Sequence, residues 1–475
     1  MVYPRRRSGQ RCASVCLSTV SVEVRAVTFL VFLFLLAQEG LAKEGEFLSP
    51  QNNGWVLNTH IPVAFVCSDF PVIKIKNENI IMKKTPHRHL WYGQIEWRKV
   101  GQQDVPIVAK CRKHLITRQF TLNFFSMNDV TPAKLLAQNF MHKHQASKLK
   151  WDWGDALFLY GLGRLPEDIN YINYVERYQT HYFIHPATID WADRCPSALS
   201  ALALWRKNGH SKSYVNLLRT LEFIRNGPKN SLGAIDHFGE ETWMSKIFPA
   251  SIWVDSLMMY ALLSVESGVE LEQKELLDFG LNQQIIFSQK MRETSTGAYY
   301  HAWNTKKNRP FPKTNTFWLR GNGWVGTSLV LMLEKLEKAA ISHELQPLLR
   351  LLAQNLARSM YDFMPINYIF DTLLTRPGYG YEELSGSALM GILFVKGAQL
   401  KILAPEFFQA GVNIYAAITA RLRSTDDGLS MPDISGPTIP YPKLGYKIVP
   451  RGRDYPYGIG AYLLLAEAVS GEQAL

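Results

Sequence analysis

Residues 325–333 read VGTSLVLML, and residues 388–395 read ALMGILFV. Both stretches lie within longer segments of helical periodicity, and both are apolar on nearly every side. A surface helix carries a polar face, whereas a helix that is apolar all round is covered by other helices. The two stretches therefore predict an inner layer of helices that is enclosed by an outer layer.

Helical periodicity recurs in twelve segments from about residue 132 onward. Gly, Pro or Asn separates most of them, and no fixed sequence period links them, which argues against a solenoid. Twelve helices that pair as hairpins can close into a ring of six inner and six outer helices, so we predict an all-α (α/α)6 barrel. The predicted helices are residues 133–145, 153–164, 168–181, 197–208, 212–225, 253–266, 271–290, 324–338, 345–362, 386–402, 406–422 and 458–469.

A different pattern precedes the helices. Residues 63–67, 72–76 and 80–83 are short apolar or alternating runs, which are typical of half-buried strands. We therefore predict a small β-rich module over residues 43–130, followed by the barrel over residues 131–475. Such a module could bind carbohydrate or a partner, or it could simply cover the barrel.

The first 42 residues have the pattern of a targeting segment. Arg5, Arg6 and Arg7 precede the apolar run 26–37, and small residues follow that run. The run is shorter than the roughly twenty residues that a membrane-spanning helix needs. We predict a secretory signal peptide, with an uncleaved signal anchor as the alternative. The protein would then be secreted or lumenal, and it would meet the membrane only through a retained anchor.

Three cysteines remain after this leader. Cys67 and Cys111 could form a disulfide in an oxidising compartment and leave Cys195 free, or all three could be buried thiols. The sequence alone leaves both alternatives open.

Composition excludes several classes of protein. The 475 residues are 47% hydrophobic and include five cysteines, which excludes a disordered chain and a disulfide scaffold. The net charge is +11, and the leader contributes five Arg and two Glu to it. The remaining basic residues form no cluster with interleaved aromatics, so we predict no nucleic-acid binding. Motifs for phosphate loops and metal sites are missing from the sequence, so we predict no metal and no cofactor.

Two acidic segments carry the candidate catalytic groups. Asp255 lies in PASIWVDSLMM, residues 249–259, where apolar neighbours are expected to raise its pKa and favour proton donation. Asp190 and Asp193 lie in IDWADRCP, residues 189–196. Each aspartate could equally cap the helix that follows it. As a facing pair, they would suit acid–base chemistry on a sugar.

A third segment supplies candidate binding groups. Residues 299–303 read YYHAW, and residues 317–324 read FWLRGNGW. We predict that the second stretch is a loop broken by glycines before the next helix. Its aromatic faces could stack on the C–H faces of a sugar, and its arginine could bind a carboxylate through two parallel hydrogen bonds.

In this order, the segments resemble glycoside hydrolase family 105, the unsaturated rhamnogalacturonyl hydrolases, and the related unsaturated glucuronyl hydrolases of family 88. Further matches are Trp153-Gly154, ELSGS at residues 383–387 and DYPYGIGA at residues 454–461. The resemblance covers about residues 133–470. It implies the same barrel that the helical pattern predicts.

The resemblance also implies a reaction. Family members remove a 4,5-unsaturated uronic acid from the non-reducing end of oligosaccharides made by a polysaccharide lyase, and they do so by hydrating the C4=C5 double bond. By this resemblance Asp255 is the acid–base, which protonates C4 and activates water, and Asp193 holds the ring hydroxyls in preference to Asp190. Arg320 would face the substrate carboxylate. The other implied binding residues are His301, Trp303, Trp318, Trp324, Lys246 and Trp153.

One departure concerns the stretch before the Trp-x-Asp motif. Family 105 often has a His-Lys pair there, whereas this chain has Trp243-Met-Ser-Lys246, so the lysine is expected to remain and the histidine to be missing. A non-catalytic carbohydrate-binding or scaffold protein on the same barrel therefore stays an alternative. A third hypothesis is an inverting glycosidase of saturated substrates, whose two carboxyl groups would lie about 6.5–9.5 Å apart.

Overall fold

The computed structural model describes residues 43–166, 168–312 and 315–471. The predicted leader therefore lies outside the described residues. From Glu44 onward the contacts define one unit that holds both the strands and the helices. Among the described residues, no helix is both long enough and apolar enough to cross a membrane.

Twelve helices form two concentric layers. The outer helices are α1 (Thr131–Lys143), α3 (Ile169–Ile184), α5 (Ser211–Asn226), α7 (Lys274–Met291), α9 (Gln346–Asp362) and α11 (Pro405–Thr419). The inner helices are α2 (Trp153–Arg164), α4 (Ser197–Asn208), α6 (Leu262–Glu270), α8 (Leu319–Lys338), α10 (Leu384–Gln399) and α13 (Pro456–Ser470). A short helix, α12 (Lys443–Ile448), precedes α13. Each inner helix contacts the next, and α13 contacts α2, so the ring is closed. This confirms the predicted (α/α)6 barrel.

The two stretches that predicted the inner layer lie at its most buried positions. In α10 every residue from Leu384 to Ala398 is buried, and in α8 burial is continuous from Leu319 to Glu334. The two helices approach closely because α8 carries glycines at its contact face. A Cβ on Gly323 would lie 2.7 Å from Cβ of Leu389, which no real side chain permits.

Two predicted helix boundaries are wrong. Helix α8 begins at Leu319 and not at residue 324, so the predicted glycine-broken loop is its first turn. The glycines at this point serve close packing and do not break the helix. The helix predicted over 253–266 begins late, because Ser251–Trp253 forms strand β10 and a π-helical turn, Leu257–Ala261, leads into α6.

The β-rich region consists of two sheets within the described residues. One sheet has the order β1 (Phe47–Ser49), β3 (His60–Val66), β7 (Leu90–Glu96) and β6 (Lys83–Lys84), and its neighbours are antiparallel. The other has the order β2 (Gly54–Leu57), β9 (His114–Phe125), β8 (Gly101–Cys111), β4 (Val72–Ile75) and β5 (Glu78–Ile80). In it only β2 and β9 run parallel.

The sheets enclose an apolar core and carry one covalent link. Ile61, Phe65 and Ile107 are fully buried members of the cluster between them. Cys67, which follows β3, and Cys111, at the end of β8, form a disulfide, whereas Cys195 is a buried free thiol. Of the two alternatives left open by the sequence, the structure has the disulfide.

The sheets pack directly against the barrel. The ring of Phe125, at the end of β9, meets Tyr415 of α11 edge-on with centroids 6.1 Å apart. On another side, Nε2 of His87 lies 2.5 Å from Oδ1 of Asp371, which belongs to the loop between α9 and α10. Burial lowers the pKa of His87, but the hydrogen bond and charge of Asp371, together with the charge of Glu382, raise it above its usual value.

The His87–Asp371 contact predicts a pH-dependent contribution to stability. Because the folded-state pKa of His87 is raised, its contribution is complete below about pH 6.5, the usual value for an unfolded histidine, and is lost as pH rises through the folded-state pKa. We expect His87→Ala to lower Tm more at pH 5.5 than at pH 9, as measured by thermal unfolding across this range. The exposed His114→Ala is the matched control. An equal loss of Tm at both pH values would contradict the assignment.

Candidate active site

The candidate residues gather at one end of the barrel, where the inner helices begin. We call it the N-terminal end of the ring. Each inner helix follows or begins with a side chain from the sequence motifs, so closure of the ring brings together segments that are distant in the chain. In chain order, this end holds Trp153, Asp193, Asp255, Trp318, Glu383 and Tyr457.

Asp255 lies between β10 and the π-helical turn, beside a buried histidine. Its Oδ2 is 3.3 Å from Nε2 of His301, close enough for an ion pair but poorly aligned for a hydrogen bond. Within the described residues, neither atom has a well-aligned hydrogen-bond partner. The backbone is fixed, because N–H of Val254 donates to the carbonyl of His301 at 3.0 Å. A polar pair with free bonding capacity is thereby held in a rigid frame.

The protonation of this pair differs from the expected one. Burial alone would raise the pKa of Asp255, but the neighbouring His301 and the charge of His237 outweigh it and lower that pKa below its ordinary value. Burial also lowers the pKa of His301, although Asp255 opposes this. At neutral pH the free protein therefore holds an ionised Asp255 beside a neutral imidazole. The expectation of a raised pKa for Asp255 was wrong because it took account of burial and not of the histidines.

A tyrosine contacts the second ring nitrogen of His301. The hydroxyl of Tyr446, on α12, lies 2.8 Å from Nδ1 of His301. Burial raises the pKa of Tyr446, so the phenol keeps its proton. A phenol that donates to Nδ1 leaves the imidazole proton on Nε2, the nitrogen that faces Asp255.

The second carboxylate has the opposite electrostatic environment. Burial raises the pKa of Asp193 well above its usual value, the charges of Asp152 and Asp255 add to this, and Arg194 only partly opposes it. Oδ1 of Asp193 lies 3.6 Å from Nε2 of His237. Burial lowers the pKa of His237 to about 4, so this histidine carries no charge at neutral pH. Its charge lowers the pKa of Asp255 only in the acidic range where His237 itself is protonated.

His237 is a site residue that the sequence did not reveal. Its ring stacks on Trp253 with centroids 4.2 Å apart and 9° between the planes, and its Nδ1 lies 3.2 Å from Oγ of Ser256. The resemblance predicted that a histidine would be missing just before the Trp-x-Asp motif. The structure supplies one from further upstream, because the intervening segment loops out and returns to β10. A lone histidine with no characteristic spacing to the other motifs gives no sequence signal, so His237 was not predicted.

Neither carboxylate serves as a helix cap in the described structure. The π-helical turn after Asp255 and helix α4 after Asp193 begin without a side-chain cap hydrogen bond. This removes the structural alternative that the sequence left open for both residues. The contact that Asp190 makes in this region comes from its backbone: its carbonyl oxygen packs against Gly239.

Arg320 joins the site to the loop over residues 435–438. Its guanidinium is fully buried, and its terminal nitrogens donate to the carbonyls of Ser435 and Gly436, each at 2.8 Å. It also lies 3.9 Å from Oε1 of Glu383. Among the described residues Nε of Arg320 is buried without a hydrogen-bond partner, and the expected contact with a substrate carboxylate stays a prediction.

The remaining predicted residues divide into two groups. Trp318 stacks on His301 at 4.2 Å, and Trp153 contacts both Tyr457, at 4.5 Å, and Trp324, at 6.5 Å. These three indoles line the N-terminal end of the ring. The other two are at the margin of this group: Trp303 pairs with Ile252 of β10 and is half-buried below Nζ of Lys290, and Lys246 is exposed on the loop before β10.

Comparison with known proteins agrees with this architecture. The model of the family described as Glycosyl Hydrolase Family 88 matches residues 128–470, which is most of the barrel. The chain belongs to glycosyl hydrolase family 88. It is therefore a glycosidase, and its carboxylate pair lies where the six inner helices of this family 88 barrel begin.

Individual relatives are distant in sequence. The unsaturated rhamnogalacturonyl hydrolase YesR of Bacillus subtilis is 22% identical over 333 residues, which are 68% of this chain and 91% of YesR. A family 105 glycoside hydrolase of C. acetobutylicum has the same fold, with a TM-score of 0.63, 21% identity and coverage of 71% of this chain and 98% of that one. The unsaturated glucuronyl hydrolase of Bacillus sp. GL1 gives a TM-score of 0.54, 16% identity and coverage of 71% and 94%.

The raised pKa of Asp193 predicts a stability cost at neutral pH. An unfolded Asp loses its proton near pH 3.9, so folding becomes less favourable as pH rises from there through the higher folded-state pKa. We expect Asp193→Asn to raise Tm by about 2 °C at pH 7.5 and by less at pH 4.5. Calorimetry at both pH values measures this, with the exposed Asp426→Asn as control. A lower Tm at pH 7.5 would show that the charge of Asp193 is stabilising instead.

Proposed function

We propose that this family 88 chain releases a 4,5-unsaturated uronic acid from the non-reducing end of lyase-generated oligosaccharides by hydrating the C4=C5 double bond. The observation that carries the proposal is the Asp255–His301 pair, whose Oδ2 and Nε2 are buried, close together and without well-aligned partners among the described residues. The names of two relatives support the choice of substrate class, since one is an unsaturated rhamnogalacturonyl hydrolase and another an unsaturated glucuronyl hydrolase.

The proposed reaction balances without a cofactor. A proton from Asp255 adds to C4, and a water molecule adds to C5 as it returns a proton to the carboxylate. The product is a hemiketal at C5, which opens by breaking the bond between C5 and the ring oxygen. The hemiacetal left at C1 then collapses and expels the rest of the oligosaccharide as an alcohol. Asp255 thus acts first as general acid and then as general base.

Because the pKa of Asp255 is low in the free protein, Asp255 must gain its proton when the substrate binds. The substrate carries a carboxylate of its own, and a like charge near an ionised aspartate raises the pKa of that aspartate. Binding also removes water from a site that is already buried, which acts in the same direction. We therefore propose that Asp255 takes up its proton together with the substrate.

Asp193 supports the sugar in this proposal and does not transfer the proton. Its raised pKa favours the protonated carboxyl, which has both a hydrogen-bond donor and an acceptor for neighbouring ring hydroxyls. Trp318 and Trp153 supply aromatic faces at the same end of the ring. Arg320 remains the expected group for the substrate carboxylate, since its Nε is a buried donor without a partner among the described residues.

Amide substitutions at the two aspartates should separate their roles. Asn cannot donate a transferable proton, so we expect Asp255→Asn to lower kcat at least 1000-fold, as followed by loss of the ultraviolet absorbance of the unsaturated uronyl group. Asp193→Asn keeps a donor and an acceptor, so it should retain more activity than Asp193→Ala. Equal inactivation by Asn at both positions would contradict this division of roles, and a larger loss at Asp193 would identify that residue as the proton donor.

The substrate panel tests the proposal as a whole. Lyase-digested pectin, chondroitin and hyaluronan offer different sugars after the unsaturated uronate. Cleavage of saturated glycosides, with the unsaturated ones left uncleaved, would favour the hypothesis of an inverting glycosidase. Saturable binding of the unsaturated oligosaccharides without turnover over a wide pH range would contradict the hydration chemistry.

Removal of the Tyr446 hydroxyl should change the pH dependence of activity. Because free Asp255 must gain a proton, kcat/KM should fall as pH rises above the pKa of Asp255. In Tyr446→Phe the Nε2 proton is no longer enforced, so the pKa of Asp255 should rise and this limb should shift to higher pH, with kcat about tenfold lower. The control is Tyr361→Phe on the outer helix α9. A lower kcat with an unshifted limb would show that Tyr446 acts only in packing.

We also propose that the protein works in an oxidising compartment of the secretory pathway or outside the cell. The Cys67–Cys111 disulfide supports this, because such bonds persist mainly in oxidising environments. The leader pattern of residues 1–42 is the second support. Expression of the full chain in eukaryotic cells, followed by N-terminal sequencing of secreted material, tests both cleavage and location.

A further inference from the structure

An exposed tryptophan lies on the loop that leads into β10. The side chain of Trp243 is 64% exposed, and that of Ile247, four residues further along the same turn, is 66% exposed. Large apolar side chains that cluster at a surface next to a site commonly mark a binding surface. We call Trp243 and Ile247, with Trp191 behind them, the tryptophan ledge.

The loop that carries the ledge is internally braced. Oγ1 of Thr242 donates to the carbonyl of Phe238 at 2.6 Å and accepts from N–H of Ser245 at 3.0 Å. Oγ of Ser245 in turn donates to the carbonyl of Glu240 at 2.7 Å. N–H of Phe248 donates to the carbonyl of Met244 at 2.8 Å. Trp243 is thus held outward by a fixed turn, so the cost of ordering its side chain for a ligand is small.

The ledge is continuous with the carboxylate site. The rings of Trp243 and Trp191 meet at 6.4 Å with 66° between their planes, and Trp191 precedes Asp193 by two residues. N–H of Ala192 donates to the carbonyl of His237 at 3.0 Å, which ties the two segments together. Phe238 fills the space behind, with its ring 4.7 Å from that of Trp253. A chain of aromatic contacts therefore runs from beside Asp255 to the exposed indole.

The ledge is an aromatic surface with charges of both signs beside it. The guanidinium of Arg194 lies 5.0 Å from the centroid of Trp191 and is engaged by Asp152 at 3.8 Å. Lys246 and Glu241 are exposed on the loop that carries the ledge. Apolar aromatic faces bind the C–H faces of pyranose rings. A sugar with one unsubstituted C–H face fits this surface.

We propose that the tryptophan ledge binds the sugars that follow the unsaturated uronate, so that Trp243 determines the preference for chain length. The proposal rests on the proposed function, because it identifies these sugars as the part of the substrate that the reaction releases. Trp243 makes contact with the leaving oligosaccharide and takes no part in proton transfer. Its effect therefore belongs to substrate binding and grows with the number of sugars that reach the ledge.

The test compares Trp243→Ala on a long and a short substrate. We expect kcat/KM for an unsaturated tetrasaccharide to fall about five- to tenfold through KM, while the methyl glycoside of the unsaturated uronate is unaffected. Trp243→Phe should restore most of the loss, since it keeps an aromatic face. Phe70→Ala, at an equally exposed aromatic residue of the β-rich region, is the matched control and should change neither substrate. Unchanged kinetics on the tetrasaccharide, or an equal loss on both substrates, would overturn the proposal.

A binding experiment distinguishes failure of the ledge from failure of the proposed chemistry. Titration of the tetrasaccharide into the Asp255→Asn protein, with and without Trp243→Ala, measures the ledge by calorimetry without turnover. A five- to tenfold larger Kd in the double variant supports binding at the ledge, even if the wild-type protein hydrolyses none of the unsaturated substrates. An unchanged Kd overturns that proposal. Inactive wild type with intact tetrasaccharide binding would count against the proposed hydration alone.

Discussion

Closure of an apolar ring of helices is the constraint on which the rest of this structure depends. Because α8 and α10 are buried along most of their length, their charged side chains lie where these helices begin or end. At the end where the inner helices finish, acidic and basic side chains form ion pairs. Lys396 lies 2.8 Å from Glu334 and 3.0 Å from Glu467, and Arg164 lies 3.4 Å from Glu334. Burial opposes ionisation of Glu334, yet Arg164 and Lys396 lower its pKa to about 2. The N-terminal end has carboxylates that face neutral histidines instead, and this difference separates the structural end from the reactive one.

The pKa values of the two carboxylates at the N-terminal end of the ring differ because of their neighbours and not because of their burial. Both are partly buried, with 13% of the Asp255 side chain and 18% of the Asp193 side chain exposed. Asp255 has His301 at 3.3 Å, whereas Asp193 has His237 at 3.6 Å, with Asp152 and Asp255 adding negative charge around it. Their pKa values consequently move in opposite directions. Pairs of titratable groups whose environments push their pKa values apart are typical of acid–base sites. The environment that raises the pKa of Asp193 also disfavours folding at neutral pH, and the apolar burial in the helical ring compensates for this.

Local pattern was sufficient for the barrel and for the position of Asp255, but not for the contacts made by distant segments. The apolar runs in α8 and α10 and the Trp-x-Asp segment are short-range signals. The role of Arg320, by contrast, depends on carbonyls more than a hundred residues further along the chain, and the contact at Nδ1 of His301 depends on Tyr446, again far downstream. Gly323 was interpreted as a helix breaker because the packing partner that requires it, Leu389, lies on another helix. His237 was missed for the same reason: its ring gains meaning only from Trp253 and Asp193.

The neutrality of His301 follows from the same packing and has a consequence for the proposed chemistry. Its ring lies between Trp318, at 4.2 Å, and Trp253, at 5.3 Å, and such apolar contacts favour the uncharged imidazole. In the proposed chemistry Asp255 must gain a proton, and a charged imidazolium beside it would oppose that gain more than a neutral imidazole does. The aromatic residues that exclude water from His301 therefore act on the charge of the site as well as on its shape.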